Sequence, residues 1–299
     1  MADQSSAHPI LSTGEGQPAL KIGSEEHKRL FCRMLLDTHD PYRPAVIPWP
    51  KLGDDAFKRL TGLPIWNIAV QIEGRASIAV RTYGEAVADP LLKEAILMDG
   101  GEEARHKEVL SKMVTFYGIT LDPEPPYPAP KDAEWAFMTT GYAECIDSFF
   151  AFGLFDVARR SGFFPEELVE TFEPVIQEEA RHILFFVNWL AWHRRQLSWP
   201  ARLWFNLRCV ACFFGRIKGR LDTARAVKGS QSKKAVPGEK VEDKNFTATA
   251  SKALAENLKV TDLMRLCLAE NDRRMAKYDA RLLRPVLVPS LVKLALRFL

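Results

Sequence analysis

The pentapeptide EEARH occurs twice in this chain, ending at His106 and at His182, and it constrains the fold more than any other feature. The second Glu and the His of each copy are three residues apart, so an α-helix presents both on one face. Glu103 and His106 would therefore share one face of one helix, and Glu179 and His182 one face of another. A fold that turns these faces toward each other gathers two imidazoles and two carboxylates in one place.

Proline and glycine residues divide the chain into helical segments. Apolar residues at helical spacing predict four long helices between these breakers, at about residues 64–90, 90–118, 132–160 and 165–195. The two EEARH copies fall on the second and fourth of these helices. An all-α fold built on a four-helix bundle is the economical arrangement, with helical extensions at the N- and C-terminal ends.

The predicted organisation has four parts. They are a disordered polar tail (1–22), an N-terminal helix with a Pro-rich lead-in (23–63), the bundle (64–198), and a C-terminal helical extension (199–299). Within the extension, a polar stretch at about 225–248 is predicted to be a mobile loop.

Two further carboxylates lie in the middle of the first and third long helices. Glu73 and Glu144 are set in mainly apolar surroundings, VQIEGRA and GYAECIDSFF. The alternative for both motif copies is a solvated helix face with ion pairs. The second copy, however, runs directly into ILFFVNWLAW, where a charged face toward water is not expected. Since buried carboxylates are costly unless they are paired or coordinated, the pattern favours a metal site.

This pattern resembles the ferritin-like carboxylate-bridged diiron proteins, which include desaturases, multicomponent monooxygenase hydroxylases, ribonucleotide reductase small subunits and rubrerythrins. The resemblance covers about residues 64–196. It implies six metal ligands, with Glu103 and Glu179 as the bridging pair: Glu73, Glu103, His106, Glu144, Glu179 and His182.

The same resemblance implies roles for the first Glu and the Arg of each motif. Glu178 would orient the imidazole of His106, and Glu102 would orient the imidazole of His182. The two motif arginines, Arg105 and Arg181, would pair with these carboxylates. The alternative is ordinary ion pairing on a helix surface.

Other positions separate the members of that family. Radical-storing ribonucleotide reductase subunits resemble one another in a Tyr where this chain has Leu110, and rubrerythrins carry two Cys pairs where this chain has one. The family's soluble monooxygenases have a hydroxyl residue four positions after the third-helix Glu, and this chain has Ser148 there. Ser148 could pass protons during oxygen activation, or it could bond back to its own helix.

Together these residues predict an O2-dependent non-haem diiron oxygenase acting on a small, partly apolar organic substrate. Hard carboxylate oxygens with imidazoles suit two iron ions, with manganese or a mixed pair as the alternative. Electrons would come from a separate donor. A diiron desaturase or oxidase is the second interpretation, and a metal-storage or peroxide-scavenging protein is an interpretation of a different class.

Composition narrows the setting. A net charge of +3 does not indicate a nucleic-acid partner, and the start of the chain lacks signal-peptide features, so we expect a cytoplasmic protein. The single CxxC, Cys209 and Cys212, lies in an apolar stretch and is interpreted as buried small residues. The C-terminal segments are apolar and basic, and packing against the bundle is favoured there over contact with a membrane surface.

Overall fold

The computed structural model describes residues 20–63, 65–230 and 259–299 of the chain. Within these ranges the protein is all-helical, with nine α-helices, one 3-10 turn at Pro44–Val46 and no strand. The helices, labelled in chain order, are α1 Glu25–Asp37, α2 Asp54–Thr61, α3 Trp66–Ala86, α4 Pro90–Phe116, α5 Ala133–Ser161, α6 Glu166–Gln196, α7 Trp199–Ser230, α8 Val260–Met275 and α9 Leu287–Ala295.

Two predicted segments fall largely outside this description. Residues 1–19 of the predicted tail and 231–248 of the predicted loop are not among the described residues. The predicted start of that loop, at about residue 225, lies within α7, which continues to Ser230.

Local signals in the sequence determine where the long helices begin and end. The side chain of Asp89 accepts a hydrogen bond from the backbone N–H of Leu92 at the start of α4, and Asp132 caps α5 in the same way. After α5, Gly162 takes a left-handed conformation with φ of 62°, which ends the helix without steric cost. These signals explain why the observed bounds of α4 and α5 are close to the predicted ones.

The helices that carry the motif residues pack on one another. Helix α3 contacts α4 and α5, α5 contacts α6, and α6 contacts α4. Helix α1 lies against α4 and α6, while α8 covers α5 and α6. The two EEARH copies therefore lie inside the assembly, covered by helices from both ends of the chain.

Close approach of α3 and α4 occurs at Gly100, one residue before a second glycine. A Cβ atom at Gly100 would lie 2.5 Å from Cγ of Arg81 and 3.2 Å from the Arg81 backbone nitrogen, whereas a Cβ at Gly101 would meet nothing within 4 Å. The carbonyl of Gly100 also accepts a hydrogen bond of 2.8 Å from Ser77 of α3. Gly100 therefore allows the close packing of α3 on α4, and Gly101 takes no part in it.

In the part of the chain that the structure describes, no helix combines the length and the apolar character that crossing a membrane requires.

Candidate metal centre

Four helices deliver acidic and imidazole side chains to one buried place. Helix α4 carries the first EEARH copy and α6 the second, and in each helix the second Glu and the His point the same way because they are three residues apart. Helix α3 contributes Glu73 and helix α5 contributes Glu144. Both imidazoles are fully buried, at 0% exposure.

The first group of potential ligands joins three helices. One atom each from Glu73, Glu103, His106 and Glu179 lies within 4.8 Å of the others. Nδ1 of His106 is 3.3 Å from Oε1 of Glu179 and 3.7 Å from Oε2 of Glu73. A cation at this place would have three carboxylates and one imidazole nitrogen within reach.

A second group shares one member with the first. It consists of Asp99, Glu103 and His182, again with atoms within 4.8 Å of one another. Nδ1 of His182 is 2.8 Å from Oε1 of Glu103. Because Glu103 belongs to both groups, its carboxylate lies where it could contact two cations at once.

Several of these atoms are buried without any hydrogen-bond partner among the described residues. They include Nδ1 of His106, Nδ1 of His182 and Oε1 of Glu103. The last two are close together, yet their geometry is not that of a hydrogen bond. Buried polar atoms in native proteins nearly always have a hydrogen-bond partner. Nitrogen and oxygen atoms that converge without one can instead donate their lone pairs to a metal ion.

The outer nitrogen of each His is held by a carboxylate from the opposite motif. Nε2 of His106 is 2.8 Å from Oε2 of Glu178, and Nε2 of His182 is 2.8 Å from Oε2 of Glu102. These crossed contacts between the two helices are the ones that the family resemblance implied. A carboxylate on Nε2 fixes the ring orientation and leaves Nδ1 to face the cluster.

The motif arginines complete this outer layer. Arg105 donates to Oε1 of Glu178 at 2.5 Å, and Arg181 donates to both oxygens of Glu102 at 2.5 and 2.6 Å. Glu102, Glu178 and Arg181 are all at most 2% exposed, so these contacts are interior ones rather than surface ion pairs.

Two partners of this layer were not found from the sequence. His39 contacts Oε1 of Glu102 through Nδ1 at 2.5 Å, and Tyr42 donates its hydroxyl proton to Oε2 of Glu178 at 3.2 Å. Both lie in the segment that follows α1, interpreted from the sequence only as an extended lead-in. Tyr42 also lies beneath the guanidinium of Arg105, 4.1 Å from the ring centre. The sequence offers one signal for these two partners, which is that one of the chain's six histidines lies in this segment.

Asp99 is the third residue that the sequence did not single out. It is 3% exposed, and its Oδ1 lies 3.7 Å from Nε2 of His182, the nitrogen that already contacts Glu102. Asp99 precedes Glu103 by one helical turn, so both side chains are on the same face of α4. A search limited to the EEARH motif and its mid-helix partners could not find it.

Glu144 is the predicted ligand that neither group includes. Burial raises its pKa well above the usual range, and the nearby carboxylates of Glu103 and Asp99 raise it further. Its carboxyl group is therefore within electrostatic range of the cluster, and it faces the cavity described below.

The charges of the cluster are out of balance without a cation. Burial raises the pKa of Glu103 well above its usual range, and the Glu73 and Glu179 carboxylates add to this effect. Burial would lower the pKa of His106, but the surrounding carboxylates, with Glu178 foremost, outweigh it and hold that pKa well above its usual value. The His182 pKa is raised in the same way. Such a site favours protons or metal ions, because both neutralise its excess negative charge.

A cavity of about 800 Å³ lies directly beside these ligands. Its wall includes Glu73, Glu103, His106, Glu144 and Glu179, and the remaining wall is mainly apolar. The apolar part is contributed by several helices, for example Leu60, Trp66, Met113, Leu154, Phe155, Leu168, Phe172 and Ile176. A cavity of this size and character can hold an apolar organic molecule against the cluster.

Ser148 lines the same cavity and bonds across to another helix. Its hydroxyl donates to Oε2 of Glu179 at 2.8 Å, rather than back to its own helix. The hydrogen bond back to its own helix, which was one of the two roles considered from the sequence, is therefore not observed. The hydroxyl lies between a potential metal ligand and the space available to a substrate.

Most aromatic residues of α5 and α6 belong to the core rather than to the cavity. Phe155 of α5 and Phe172 of α6 line the cavity, whereas Phe152, Phe186 and Trp189 pack in a buried cluster. The two CxxC cysteines also pack against the core, with Cys212 buried and both thiols free. Burial raises the pKa of both thiols, which makes them poor redox or metal groups.

No protein-family model, curated protein or solved structure matches this chain. An all-helical protein with a buried cluster of Glu and His residues that could hold a metal ion is the class that the fold and site define. Any narrower function rests on the residues themselves.

Proposed function

We propose that α3, α4, α5 and α6 form a ferritin-like four-helix bundle holding two iron ions, and that the protein is an O2-dependent diiron oxygenase with an apolar organic substrate. The observation that carries this proposal is the convergence of two buried imidazole nitrogens and several buried carboxylates beside an apolar cavity. A metal site with a purely structural role would not require an apolar cavity beside it.

The donor set fits iron or manganese. Carboxylate oxygens are hard ligands and imidazole is a borderline one, and no cysteine belongs to either group of potential ligands. Glu73, Glu103, His106, Glu144, Glu179 and His182 would hold the two ions. Two ferrous ions would supply the electrons with which O2 is activated, and a separate donor would restore them.

The chain's own residues have three tasks in this proposal. Glu178 and Glu102 fix the imidazole rings so that Nδ1 of each faces the cluster. Ser148 orients the carboxylate of Glu179 and carries an exchangeable proton at the cavity wall. The apolar wall positions the substrate and keeps bulk water away from the reacting atoms.

Metal stoichiometry tests the centre itself. Anaerobic titration of the purified protein with Fe²⁺ should give two bound ions per chain, and Mössbauer spectra of the oxidised protein should show a coupled pair. Glu103→Ala and His182→Ala should each lose at least one ion. Glu108→Ala is the matched control, because Glu108 is an exposed residue one turn along the same helix. Full occupancy in both ligand variants would contradict the assignment.

Isotope labelling then separates the two reaction types. An oxygenase places an atom of labelled O2 in the product, whereas a desaturase or oxidase releases both atoms as water. The apolar cavity favours an oxygenase or a desaturase over a metal-storage protein, since a storage protein needs no apolar chamber for an organic molecule. Unlabelled, dehydrogenated product would establish the oxidase instead, provided that product oxygen does not exchange with water.

A further inference from the structure

Helix α7 has an apolar side that faces outward. Five residues at helical spacing form this stripe and are all more than half exposed: Trp199, Leu203, Leu207, Val210 and Phe214. Trp204, 62% exposed, lies beside them. The opposite side of α7 is buried through residues such as Phe205 and Phe213. The helix is therefore apolar on the side that meets the protein and also on the side that does not.

Helix α9 repeats this arrangement at the other end of the chain. Its buried side consists of Val288, Pro289 and Val292, and its exposed side carries Leu287, Leu291 and Leu294. Phe298, in the turn that follows the helix, extends this stripe. Phe298 is 83% exposed. Single exposed apolar residues are ordinary, but two continuous stripes on helices that cover one buried cluster are typical of an interaction surface.

Helices α7 and α9 cover the same part of the core. Both α7 and α9 pack on α5, and Phe213 of α7 lies in the same buried cluster as Val288 and Val292 of α9. We call the exposed residues of both stripes the α7/α9 face.

The two segments that carry the stripes contain basic residues and no acidic ones. Residues 199–219 contain four basic residues and no acidic one, and residues 280–299 again contain four basic residues and no acidic one. Arg208 is neutralised by Asp132 and Glu134, and Arg281 by Asp279 and Glu26. No described carboxylate pairs with Lys293 on α9 or with Arg297 in the turn that follows α9. Apolar and aromatic side chains bordered by cations complement an anionic lipid surface.

The cavity opens next to this face. Four of its wall residues are exposed, and they come from α3, α5 and α7: Ile72, Arg75, Trp135 and Gly215. Gly215 follows Phe214 of the α7 stripe directly. A bilayer in contact with α7 would therefore lie beside the cavity mouth.

We propose that the α7/α9 face docks on an anionic bilayer and that the cavity takes its apolar substrate from that bilayer. The docking stands on the exposed stripes and their cations. The choice of a bilayer-dissolved substrate rests in addition on the proposed diiron function.

Vesicle flotation tests the docking without metal or turnover. The full-length protein should float with vesicles of phosphatidylcholine and phosphatidylglycerol and bind vesicles of phosphatidylcholine alone far less. The double variant Leu203→Gln/Leu207→Gln should weaken partitioning on the order of tenfold or more, since both side chains are exposed and their loss removes only inserted apolar area. Phe57→Gln/Phe116→Gln, two exposed apolar positions on α2 and α4, is the matched control and should bind as the wild type.

A second pair tests the charge. Lys293→Gln/Arg297→Gln should weaken partitioning into the anionic vesicles on the order of tenfold, whereas Lys51→Gln/Lys58→Gln, with the same change of net charge on exposed positions elsewhere, should not. Circular dichroism confirms that each variant is folded. Absence of flotation with wild-type protein overturns the proposal, and a stable dimer dissociated by the Leu pair would then identify a second copy as the occupant of this face.

The cavity mouth has its own test. A Cβ at Gly215 meets nothing within 4 Å, so Gly215→Phe should fold and narrow the mouth. Uptake of parinaric acid from vesicles, followed by its fluorescence, should slow severalfold in Gly215→Phe while flotation is unchanged. Gly101→Phe, an equally open helical position on α4, is the control. Equal uptake by both variants overturns the access route. Failure of the diiron assignment would instead be seen in metal content, which neither measurement uses.

Discussion

The two Glu residues of each EEARH copy have different partners although they are adjacent in the chain. Glu103 is directed toward the cluster and contacts Nδ1 of His182, whereas Glu102 contacts Nε2 of the same ring from outside. Neighbouring positions on a helix point about 100° apart, so one pentapeptide supplies both an inner carboxylate and an outer one. The roles that the resemblance implied for these residues thus have a geometric basis here.

Asp99 and Glu144 are the two candidates for the remaining carboxylate ligand of the second metal ion. Asp99 approaches the outer nitrogen of His182, while Glu144 faces the cavity. We therefore expect Glu144→Gln to lose one of two bound ions and Asp99→Asn to retain both. Metal analysis of the two variants, each a neutral isostere, measures this directly. The reverse pattern would make Asp99 the ligand of the second ion and remove Glu144 from the set.

Glu178 allows the outer layer to be tested apart from the ligands. Glu178→Gln removes a charge that holds His106 and Arg105 but takes no ligand atom away. We expect the variant to keep most of its iron and to react with O2 about tenfold more slowly or worse, as an oxygen electrode would record for the ferrous protein. Glu170→Gln, an exposed position on the same helix, should behave as the wild type. An unchanged rate at unchanged metal content would leave Glu178 with a purely structural role.

At the scale of helices, the sequence predicts the features that depend on residues close together in the chain, which are the helix bounds and the buried sides. Proline, glycine and capping aspartates define the bounds of α3 to α6, and the apolar spacing gives their buried sides. The segment after α1 follows no such rule. His39 and Tyr42 reach the motif carboxylates over 63 and 136 positions of sequence, and only the packing of α1 on α4 and α6 brings them there. Contacts of this kind are properties of the tertiary fold.

The pair Gly100 and Gly101 gives a prediction for helix packing with its own control. Gly100→Ala places a Cβ against Arg81 where α3 and α4 meet, so we expect a loss of about 1–3 kcal/mol in the free energy of unfolding. Gly101→Ala should instead gain about 0.5–1 kcal/mol, because its Cβ meets nothing and alanine favours the helix. Denaturant unfolding of the metal-free proteins measures both. Equal effects of the same sign would contradict the close approach at Gly100.

At the scale of the whole molecule, the interior and the α7/α9 face differ in charge. A group of carboxylates surrounds the two buried imidazoles, while Lys293 and Arg297 beside the α9 stripe have no described carboxylate partner. The net charge of +3 conceals this separation.

The interior charge has a consequence for stability. Glu103 lies among other carboxylates and is 2% exposed, so without a cation its negative charge opposes folding. Glu103→Gln removes that charge while keeping the size of the side chain. We therefore expect the metal-free variant to have a higher melting temperature than the metal-free wild type, as is common when a strained functional site is neutralised.

Metal ions should reverse this order. At a concentration 100 times the dissociation constant, a bound ion stabilises the native state by about 2.7 kcal/mol, so the wild type should gain several degrees in Mn²⁺, which serves as a redox-stable substitute for iron. Glu103→Gln should gain much less, because it lacks the carboxylate that belongs to both groups of potential ligands. Differential scanning calorimetry with and without Mn²⁺ supplies all four melting temperatures, and Glu108→Gln should follow the wild type in both conditions. If the metal-free variant melted below the metal-free wild type, the cluster would be a satisfied structural network, and its carboxylates would need no metal ion to be stable in the fold.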